Sequence, residues 1–378
     1  MTKRCLQDLL EQSSKSILLL GPRQVGKSTL LEKMKPDLIV NLASQDEYLS
    51  FSSNPRELEE RINETKPRLI LIDEIQRIPD LLNSIQVLID RNKGKLKFLI
   101  SGSSARKLKR GSANLLPGRV LTYRMGPLSC KELSFSMDTK KALALGTLPE
   151  PFFARRPLAE KILESYTGTY IQEEILQETM LRQIHGFSRF LSVAATNSGQ
   201  FLDFSKLALR AKVSRSSARR YFDLLEDSLI CDRVEAYDSE LDLVRHPKYF
   251  LFDLGVVNAI LGNFTVSNDR KGRHLEHLFF NQLKNTAYAL DKKIEIFHFR
   301  TRGGLEVDFI VRYKSELFAI EVKSAMPSSG ELKGLKEINP YIKEKFQKFV
   351  AADISISKKI GDISILPWQK VIQKIFRQ

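Results

Sequence analysis

One stretch near the start of the chain has the residue types and spacing of a phosphate-binding loop. Residues 21–29 read Gly-Pro-Arg-Gln-Val-Gly-Lys-Ser-Thr and fit the pattern G-x-x-x-x-G-K-[ST] at every fixed position, directly after the apolar run 16–20. The glycines let the backbone turn tightly, so that successive amide N–H groups point at phosphate oxygens, and the following helix adds its positive N-terminal end. A strand-to-helix turn that matches by chance is the alternative. The strand before and the helix pattern after favour binding of a nucleoside triphosphate.

The residue types in this loop divide the work of holding ATP and Mg²⁺. Lys27 would reach the β- and γ-phosphates, Ser28 would supply its hydroxyl to Mg²⁺, and Thr29 would extend the helix that carries both. The predicted ATP-binding residues of the loop are Gly21, Pro22, Arg23, Gln24, Val25, Gly26, Lys27, Ser28 and Thr29.

Two carboxylates complete this predicted site. The apolar run 68–72 reads as a buried strand and ends in Asp73 and Glu74, which is the Walker B arrangement. Asp73 would hold the hydration shell of Mg²⁺, and Glu74 would polarise the attacking water. The downstream strand pattern 95–104 ends in small polar residues, of which Ser101 or Ser103 would contact the γ-phosphate or the water. An ordinary strand-to-loop exit is the alternative for these serines.

Composition restricts the class of protein. The 378 residues exceed what one compact core usually holds, so two or three domains are expected. No apolar run approaches the roughly 20 residues that span a bilayer, and the beginning of the chain lacks a secretory signal. The three cysteines are isolated, which favours a reducing cytoplasm over a disulfide framework. A net charge of +15 points to a polyanion partner, with a merely soluble basic protein as the alternative.

The secondary structure predicted around these residues differs between the parts of the chain. The first third alternates strand and helix patterns, which predicts a parallel sheet wrapped by helices. After the proline-containing stretch 148–151 the pattern turns helical, and 204–229 predicts two short helices about a Val213-Ser214 turn. This is a helix-turn-helix signature, and its second helix carries the DNA-binding candidates Arg215, Arg219 and Arg220. Such units also occur simply as packing elements, but the basic charge favours DNA contact.

A second group of chemical residues lies near the C-terminus. Asp308 alternates with apolar neighbours on one predicted strand, and Glu321 and Lys323 share a face of the next. The two carboxylates could hold Mg²⁺ while Lys323 orients or deprotonates a hydrolytic water, and Glu276 on the preceding helix could complete the metal shell. A surface salt-bridge ladder is the alternative.

Taken together, the chain resembles the bacterial and archaeal AAA-type ATPases that carry a C-terminal DUF4143 region, over essentially its full length. The motifs that carry the resemblance are Asp73-Glu74-Ile75-Gln76-Arg77-Ile78-Pro79, Ser101-Gly102-Ser103-Ser104, Leu116-Pro117-Gly118-Arg119-Val120, Pro127-Leu128-Ser129 with Glu132, Phe250-Leu251-Phe252-Asp253-Leu254-Gly255, and the Glu-Val-Asp and Glu-Val-Lys strands at 306–308 and 321–323.

The resemblance implies a three-part α/β architecture. Residues 1–147 would form an AAA-type P-loop ATPase domain with a parallel sheet, and 148–262 a helical linker with a winged helix-turn-helix domain. Residues 263–378 would form a mixed α/β domain similar to PD-(D/E)xK nucleases, with Glu276, Asp308, Glu321 and Lys323 on its motif positions. Many relatives of that nuclease fold bind without cutting, so the filled positions permit cleavage without proving it.

The resemblance also implies assembly. AAA cores often form rings in which an arginine of one subunit reaches the γ-phosphate of its neighbour. Arg119 is the candidate for this role, with Arg106 and Arg110 as alternatives, and a local ion pair is the competing interpretation of Arg119.

Three hypotheses of function remain at this stage. The preferred one is an ATP-hydrolysing enzyme that binds duplex or branched DNA and processes or remodels it, with a C-terminal domain that binds or cuts. The second is an ATP-driven translocase or branch-migration motor whose nuclease-like domain does not cut. The third is a regulatory switch that binds ATP and acts on a protein partner.

Overall fold

The computed structural model describes residues 2–92, 95–104, 118–171, 184–237 and 243–377. The alternative arginines Arg106 and Arg110 and the motif residues Leu116 and Pro117 lie outside these ranges. The chain divides into two compact units. The first comprises Met1–Gly126, Asp227–Leu229 and Tyr288–Asp291, and the second comprises Pro127–Glu226, Ile230–Ala287 and Lys292–Gln378.

The first unit is built on a five-stranded sheet in which every strand pair is parallel. Its strands are β1 (Ser16–Leu20), β2 (Leu38–Asn41), β3 (Leu69–Asp73), β4 (Lys97–Gly102) and β5 (Val120–Arg124), in the spatial order 2-3-4-1-5. The three inner strands read as almost continuous apolar runs and are buried nearly throughout, because helices cover both faces of such a sheet. The edge strands β2 and β5 contain exposed as well as buried residues. The predicted parallel sheet is therefore confirmed.

Helices connect these strands. They are α1 (Leu6–Gln12), α2 (Lys27–Glu32), α3 (Gln45–Ser53), α4 (Glu57–Thr65) and α5 (Leu81–Arg91), with a 3₁₀ turn at Ile75–Arg77. The helix pattern did not predict α3, because Phe51 is its buried residue and it therefore has no apolar stripe. The other helices bury regularly spaced leucine and isoleucine side chains, such as Leu58 and Ile62 of α4, against the sheet.

The second unit begins with helices and ends with a mixed sheet. Its helices are α6 (Thr139–Leu145), α7 (Pro149–Phe153), α8 (Arg156–Ser165), α9 (Ile184–Thr196), α10 (Phe204–Ala211), α11 (Arg215–Asp227), α12 (Leu254–Ile260), α13 (Asn268–Ala289), α14 (Lys333–Glu337) and α15 (Trp368–Phe376). A π-helical turn at Tyr166–Ile171 follows α8, and 3₁₀ turns lie at Gly330–Leu332 and Asn339–Tyr341. The predicted pair of short helices on either side of Val213-Ser214 is present as α10 and α11.

Two sheets belong to this unit. The strands are β6 (Cys231–Val234), β7 (Lys248–Leu251), β8 (Glu295–Arg300), β9 (Glu306–Tyr313), β10 (Glu316–Lys323), β11 (Phe346–Ala352), β12 (Lys358–Ile360) and β13 (Ile363–Pro367). Strands β6 and β7 form an antiparallel pair, and the other six form one sheet in the order 12-13-11-10-9-8. Within that sheet β8, β9 and β10 are antiparallel neighbours, whereas β10, β11 and β13 run parallel.

Apolar packing holds the mixed sheet. Aromatic rings join the elements before the sheet to β9: the rings of Phe250 and Phe280 lie 4.2 Å apart, and both approach Phe309 of that strand. The last helix, α15, buries its apolar face and donates from Trp368 Nε1 to Thr139 Oγ1 at 3.0 Å, so the end of the chain closes on α6. In the part of the chain that the structure describes, no helix combines the length and apolar character needed to cross a membrane.

Candidate functional site

The phosphate loop lies between β1 and α2, at the carboxyl edge of the parallel sheet. Gly26 has φ 93°, a conformation that favours glycine, and Gln24 also has a positive φ of 61°. A Cβ on Gly21 would lie 2.0 Å from the carbonyl oxygen of Met125, so only glycine fits the start of the loop. These positions explain why the glycines of the motif stand where they do.

Lys27 is buried at the centre of the loop. Its Nζ donates to the carbonyl oxygens of Gly21 and Pro22, each at 2.9 Å. Both bonds stay within the loop, so the ammonium group is already directed into the space that the loop encloses. Ser28 and Thr29 follow on α2 and are half-buried.

Arg4 is a loop contact that the sequence patterns did not indicate. Its guanidinium donates to the carbonyl oxygen of Val25 at 2.8 Å and to that of Gly126 at 2.8 Å. These two hydrogen bonds join the loop to the segment after β5. A lone arginine near the start of the chain belongs to no motif that would predict this role.

The Walker B carboxylates meet the loop edge through β4. The Asp73 carboxylate accepts a short hydrogen bond from the Ser101 hydroxyl, and that hydroxyl accepts from the Glu74 backbone N–H at 3.1 Å. Asp73 is 7% exposed, whereas Glu74 is half-buried and has φ 58° in the left-handed region. A non-glycine residue in that region is uncommon, and such strained backbone positions cluster at functional sites.

Ser103 and Gln76 hold the Glu74 carboxylate. The Gln76 amide donates to Ser103 Oγ at 2.8 Å and to Glu74, and its carbonyl oxygen accepts from the Ser103 N–H at 3.1 Å. The Ser103 hydroxyl lies 3.3 Å from Glu74 Oε2. The two serines that the sequence could not separate therefore have different partners: Ser101 contacts Asp73, and Ser103 contacts Glu74. Gln76 was missed as a site residue although it stands in the quoted motif.

Arg119 lies away from these carboxylates. Its Nε donates to Asp90 Oδ1 at 2.6 Å, and the two side chains are 35% and 47% exposed. This is the local ion pair that the sequence left as the alternative. A role toward a neighbouring subunit stays a prediction.

The three arginines of the helix-turn-helix are exposed on α11. The Arg219 guanidinium carbon lies 5.4 Å from the centre of the Phe204 ring, and that of Arg220 lies 5.8 Å from the centre of the Tyr221 ring. Arg215 is the first residue of the helix, directly after Ser214, whose hydroxyl accepts from the Ser217 N–H at 3.0 Å.

The C-terminal acidic residues converge on a cleft of about 930 Å³. Asp308 on β9 accepts from the Val322 N–H of β10 at 2.8 Å, and Lys323 Nζ lies 2.9 Å from Glu321 Oε2. Since β9 and β10 pair in an antiparallel register that runs through Ile320 and Phe309, Asp308 stands beside Glu321 on the same face. The structure thus brings Asp308, Glu321 and Lys323 together.

Gly334 on α14 makes this close approach possible. A Cβ at this position would lie 2.0 Å from the Glu306 carbonyl oxygen and 2.8 Å from Glu321 Oε1. The helix can therefore cover the carboxylates only because residue 334 has no side chain.

Glu276 has a different partner. Lys248 of β7, 3% exposed, places its Nζ 2.9 Å from Glu276 Oε1 and 3.4 Å from Glu306 Oε1. Burial would lower the pKa of Lys248, but the surrounding Glu276, Asp308 and Glu306 raise it. Lys248 stands far from the motif residues in sequence, within a strand pattern, so no sequence signal identified it.

The carboxylates repel one another. Burial, with Asp308 and Glu306 nearby, raises the pKa of Glu276 to about 7 despite Lys248. Burial and Asp308 also raise the pKa of Glu321 well above its ordinary value, although Lys323 opposes the shift. The neighbouring lysines compensate only part of this repulsion. A divalent cation bound to the carboxylates would relieve the rest.

Two of these carboxylates fit the needs of a Mg²⁺ ion. Magnesium is usually bound by one or two carboxylates together with waters and substrate phosphate, and Asp308 and Glu321 can supply that pair. Glu276 is already bound to Lys248 and does not add a third ligand in this arrangement. Among the described residues, no group of three or more histidine, cysteine, aspartate or glutamate side chains is arranged to hold a metal ion.

Comparison with protein families divides the chain into three matched segments. Residues 13–134 match a model described as an AAA domain, and residues 271–371 match a domain of unknown function, DUF4143. Residues 137–267, between them, match another domain of unknown function, DUF8612.

Curated relatives are of low identity. An uncharacterized protein of Mycobacterium tuberculosis is 27% identical over 317 residues, which is 81% of this chain and 70% of that protein. An uncharacterized protein of Haemophilus influenzae is 26% identical over 345 residues, covering 82% of each chain.

Solved structures give weak likenesses. A replication initiator DnaA bound to AMPPCP and single-stranded DNA has a TM-score of 0.27 at 11% identity, covering 58% of this chain and 85% of that one. A structure of forked-DNA unwinding by two Pif1 helicases has a TM-score of 0.24 at 14% identity, covering 44% and 51%. Both TM-scores are too low to establish a shared fold. The family models, in contrast, identify an AAA domain at residues 13–134 and a DUF4143 region at residues 271–371.

Proposed function

We propose that the protein is an ATP-hydrolysing enzyme that binds DNA and processes or remodels it, branched DNA included. The observation that carries the proposal is the convergence of Lys27, Asp73 and Glu74 at one edge of a parallel sheet, in a segment that matches an AAA domain. A buried lysine inside a glycine-rich loop and an adjacent acidic pair are what ATP hydrolysis requires.

The residues of this edge have distinct tasks in the proposal. Lys27 exchanges the Gly21 and Pro22 carbonyl oxygens for phosphate oxygens when ATP enters the loop. Ser28 and Asp73 would hold Mg²⁺, which neutralises phosphate charge when it is bound. Glu74 accepts a hydrogen bond from the attacking water, and Ser103 with Gln76 keeps its carboxylate in place.

DNA binding draws its support from the middle of the chain and from charge. Helices α9, α10 and α11 are followed by the β6–β7 pair, and Phe201 forms an antiparallel bridge with Lys248 of β7. This order of elements supports a winged helix, whose third helix would face a DNA groove. The exposed arginines of α11 would then contact phosphates and base edges, in keeping with the net charge of +15.

The C-terminal domain admits two functions. In the first function, cleavage, Asp308, Glu321 and Lys323 would act as the motif residues of a PD-(D/E)xK nuclease: the carboxylates would hold Mg²⁺ and Lys323 would orient the water. The pairing of Glu276 with Lys248 favours the second function, a motor whose nuclease-like domain holds DNA without cutting it, since this ion pair withdraws one carboxylate from the metal.

One set of reactions tests the proposal. The protein is incubated with linear, forked and four-way-junction DNA and Mg²⁺, with and without ATP, beside Lys27→Ala and Asp308→Ala. Lys140→Ala and Asp269→Ala, at exposed positions, are the controls. ATP hydrolysis that survives Lys27→Ala would overturn the ATPase assignment, and absence of DNA binding at moderate salt would overturn the DNA assignment in favour of a protein partner.

The same experiment separates the two functions of the C-terminal domain. Cleavage that is lost in Asp308→Ala and kept in Asp269→Ala means a nuclease. Strand separation or junction movement that needs ATP and Lys27 but survives Asp308→Ala means a motor with a non-cutting domain.

A further inference from the structure

A basic groove lies at the edge of the parallel sheet opposite the phosphate loop. It has a volume of about 500 Å³, and its cationic lining consists of Lys33, Lys35, Arg68, Lys95 and Lys97. The term basic groove refers to the groove that these five residues line. Lys97 begins β4 and Arg68 directly precedes β3, whereas the phosphate loop follows the last residue of β1. Because the strands are parallel and five or six residues long, the groove and the loop lie about 15–20 Å apart along the strand direction.

Carboxylates do not neutralise the groove. Glu11 belongs to the lining, where it accepts from Gln7 Nε2 at 2.8 Å. The nearby Asp37 carboxylate accepts from the backbone N–H groups of Arg68 and Leu69, each at 2.8 Å. These bonds, and then the charge of Arg68, lower the pKa of Asp37. The five cations of the groove therefore outnumber these two carboxylates, and an excess of positive charge is left.

Cations elsewhere in this unit are paired differently. Lys3, Arg61, Arg91 and Arg119 each form an ion pair of 3.0 Å or less with an aspartate or glutamate. In the part of the chain that the structure describes, the side chains of Lys33, Lys35, Arg68 and Lys95 have no such pair. Lys97 donates to the Ser13 carbonyl oxygen at 2.6 Å and is more buried, which lowers its pKa.

The chemistry of the groove selects its ligand. Converging cations that outnumber the neighbouring carboxylates create a positive potential that attracts a polyanion. The lining offers mainly charge, with flexible lysines rather than a set of oriented hydrogen-bond groups, so it suits a repeating phosphate chain better than one particular small anion.

We infer that the basic groove binds the phosphate backbone of DNA independently of sequence, so that the ATPase unit itself holds DNA at the edge opposite ATP. This inference rests on the proposed function, because it assigns a second contact surface for the same DNA. The contact would position DNA, whereas base recognition would be left to α11.

Salt dependence of DNA binding tests the inference. The groove variant carries four substitutions to glutamine, which remove charge and keep a polar side chain: Lys33→Gln, Lys35→Gln, Arg68→Gln and Lys95→Gln. Lys97 is left unchanged because it holds Ser13. The control variant carries the same change at four exposed lysines elsewhere: Lys140→Gln, Lys161→Gln, Lys358→Gln and Lys359→Gln.

Fluorescence anisotropy with a labelled duplex of random sequence gives the binding constant of each protein over a series of KCl concentrations. Each phosphate contact contributes about 0.9 to the slope of log K against log salt, so the slope of the groove variant, which loses four cations, should be shallower by about 3.6. The control variant should keep the wild-type slope. ATP hydrolysis without DNA should be unchanged in the groove variant, which also shows that the variant is folded.

The outcomes separate the inference from the proposed function. If the wild-type protein does not bind DNA at all, the proposed function fails. If the wild type binds and the groove variant keeps its slope, the inference is overturned while the proposed function stands. Should the fourfold variant fail to hydrolyse ATP, the double variant Lys33→Gln/Lys35→Gln replaces it, with an expected loss of slope of about 2.

Discussion

At the residue scale, the predicted catalytic carboxylate depends on a neighbour that the motif did not single out. Gln76 is 3% exposed and contacts both Glu74 and Ser103, with its amide nitrogen as donor and its carbonyl oxygen as acceptor. Since Glu74 itself has a left-handed backbone, its side-chain position is set by these bonds as much as by the strand. We expect Gln76 to be a positioning residue.

Gln76→Ala should therefore lower kcat for ATP hydrolysis by about tenfold, since one lost positioning hydrogen bond is worth about 1–2 kcal/mol. The KM for ATP should change little, because Gln76 does not contact the phosphate loop. Steady-state hydrolysis measures both, and Gln86→Ala on α5 is the matched control. A variant with unchanged kcat would show that Glu74 does not need this support.

Lys248 and Glu276 form an ion pair on which the stability of the second unit should depend. Removing one partner of a buried ion pair leaves an uncompensated charge, so Lys248→Met should lower the free energy of unfolding by about 3 kcal/mol. The double variant Lys248→Met/Glu276→Gln should recover most of that loss because it removes both charges. Denaturant unfolding of the two single variants and the double variant measures the coupling. Additive losses would contradict a direct pair.

At the element scale, one buried aspartate joins two helices. Asp253 caps α12 by accepting from the Val256 N–H at 3.2 Å, and it also accepts from the Thr147 N–H after α6 at 2.6 Å. A Cβ on Gly146 would lie 1.9 Å from Asp253 Oδ1, so the contact requires glycine there. Burial raises the pKa of Asp253 to about 6 even though these N–H groups oppose the shift.

The raised pKa of Asp253 makes the free energy of unfolding depend on pH, with a sign that follows from the direction of the shift. The folded state holds the Asp253 proton more tightly than the unfolded chain does, so this residue's contribution to stability is full below about pH 4 and is lost as the pH rises through 6. Asp253→Asn cannot titrate and keeps an oxygen acceptor. The difference in unfolding free energy, wild type minus variant, should fall by on the order of 3 kcal/mol between pH 4 and pH 7.

Denaturant unfolding across that pH range measures this difference. Asp138→Asn is the matched control, since Asp138 caps α6 from an exposed position by accepting from the Lys141 N–H. A wild-type-minus-variant difference for Asp253 that stays constant with pH would contradict the assigned burial of the charge.

At the scale of the whole molecule, each of the two units contains an apolar core. The core of the first unit gathers around residues such as Ile72 and Phe98, and a core of the second contains Phe299 and Val350. We expect each unit to unfold in a transition of its own.

Mg²⁺ and ATP should therefore shift one calorimetric transition and leave the other in place. Ligand that binds only the folded state stabilises the unit that binds it, by about 2.7 kcal/mol when its concentration is 100 times Kd. In Lys27→Ala neither transition should move, which is the control for binding at the phosphate loop. A shift of both transitions in the wild type would mean that the units unfold as one.

The contiguous motifs could be predicted from the sequence because their chemistry is local. Gly21 to Thr29 form one loop whose glycines and lysine act within a few residues of one another, and the apolar runs before Asp73 and Ser101 identify inner strands of a parallel sheet. The pairing of Glu321 with Lys323 follows from the period of a strand. These features need no knowledge of the rest of the fold.

Only the tertiary structure decided the contacts between distant residues. Ser101 and Ser103 are equivalent in a strand pattern. In the fold, the end of the adjacent strand β3 places the Asp73 carboxylate at Ser101 and the Glu74 carboxylate at Ser103. Lys248 meets Glu276 because two separate elements pack together, and the basic groove exists because three strands begin at the same edge. The physical reason is that a local pattern fixes which face a residue takes, whereas burial and charge depend on what lies opposite that face.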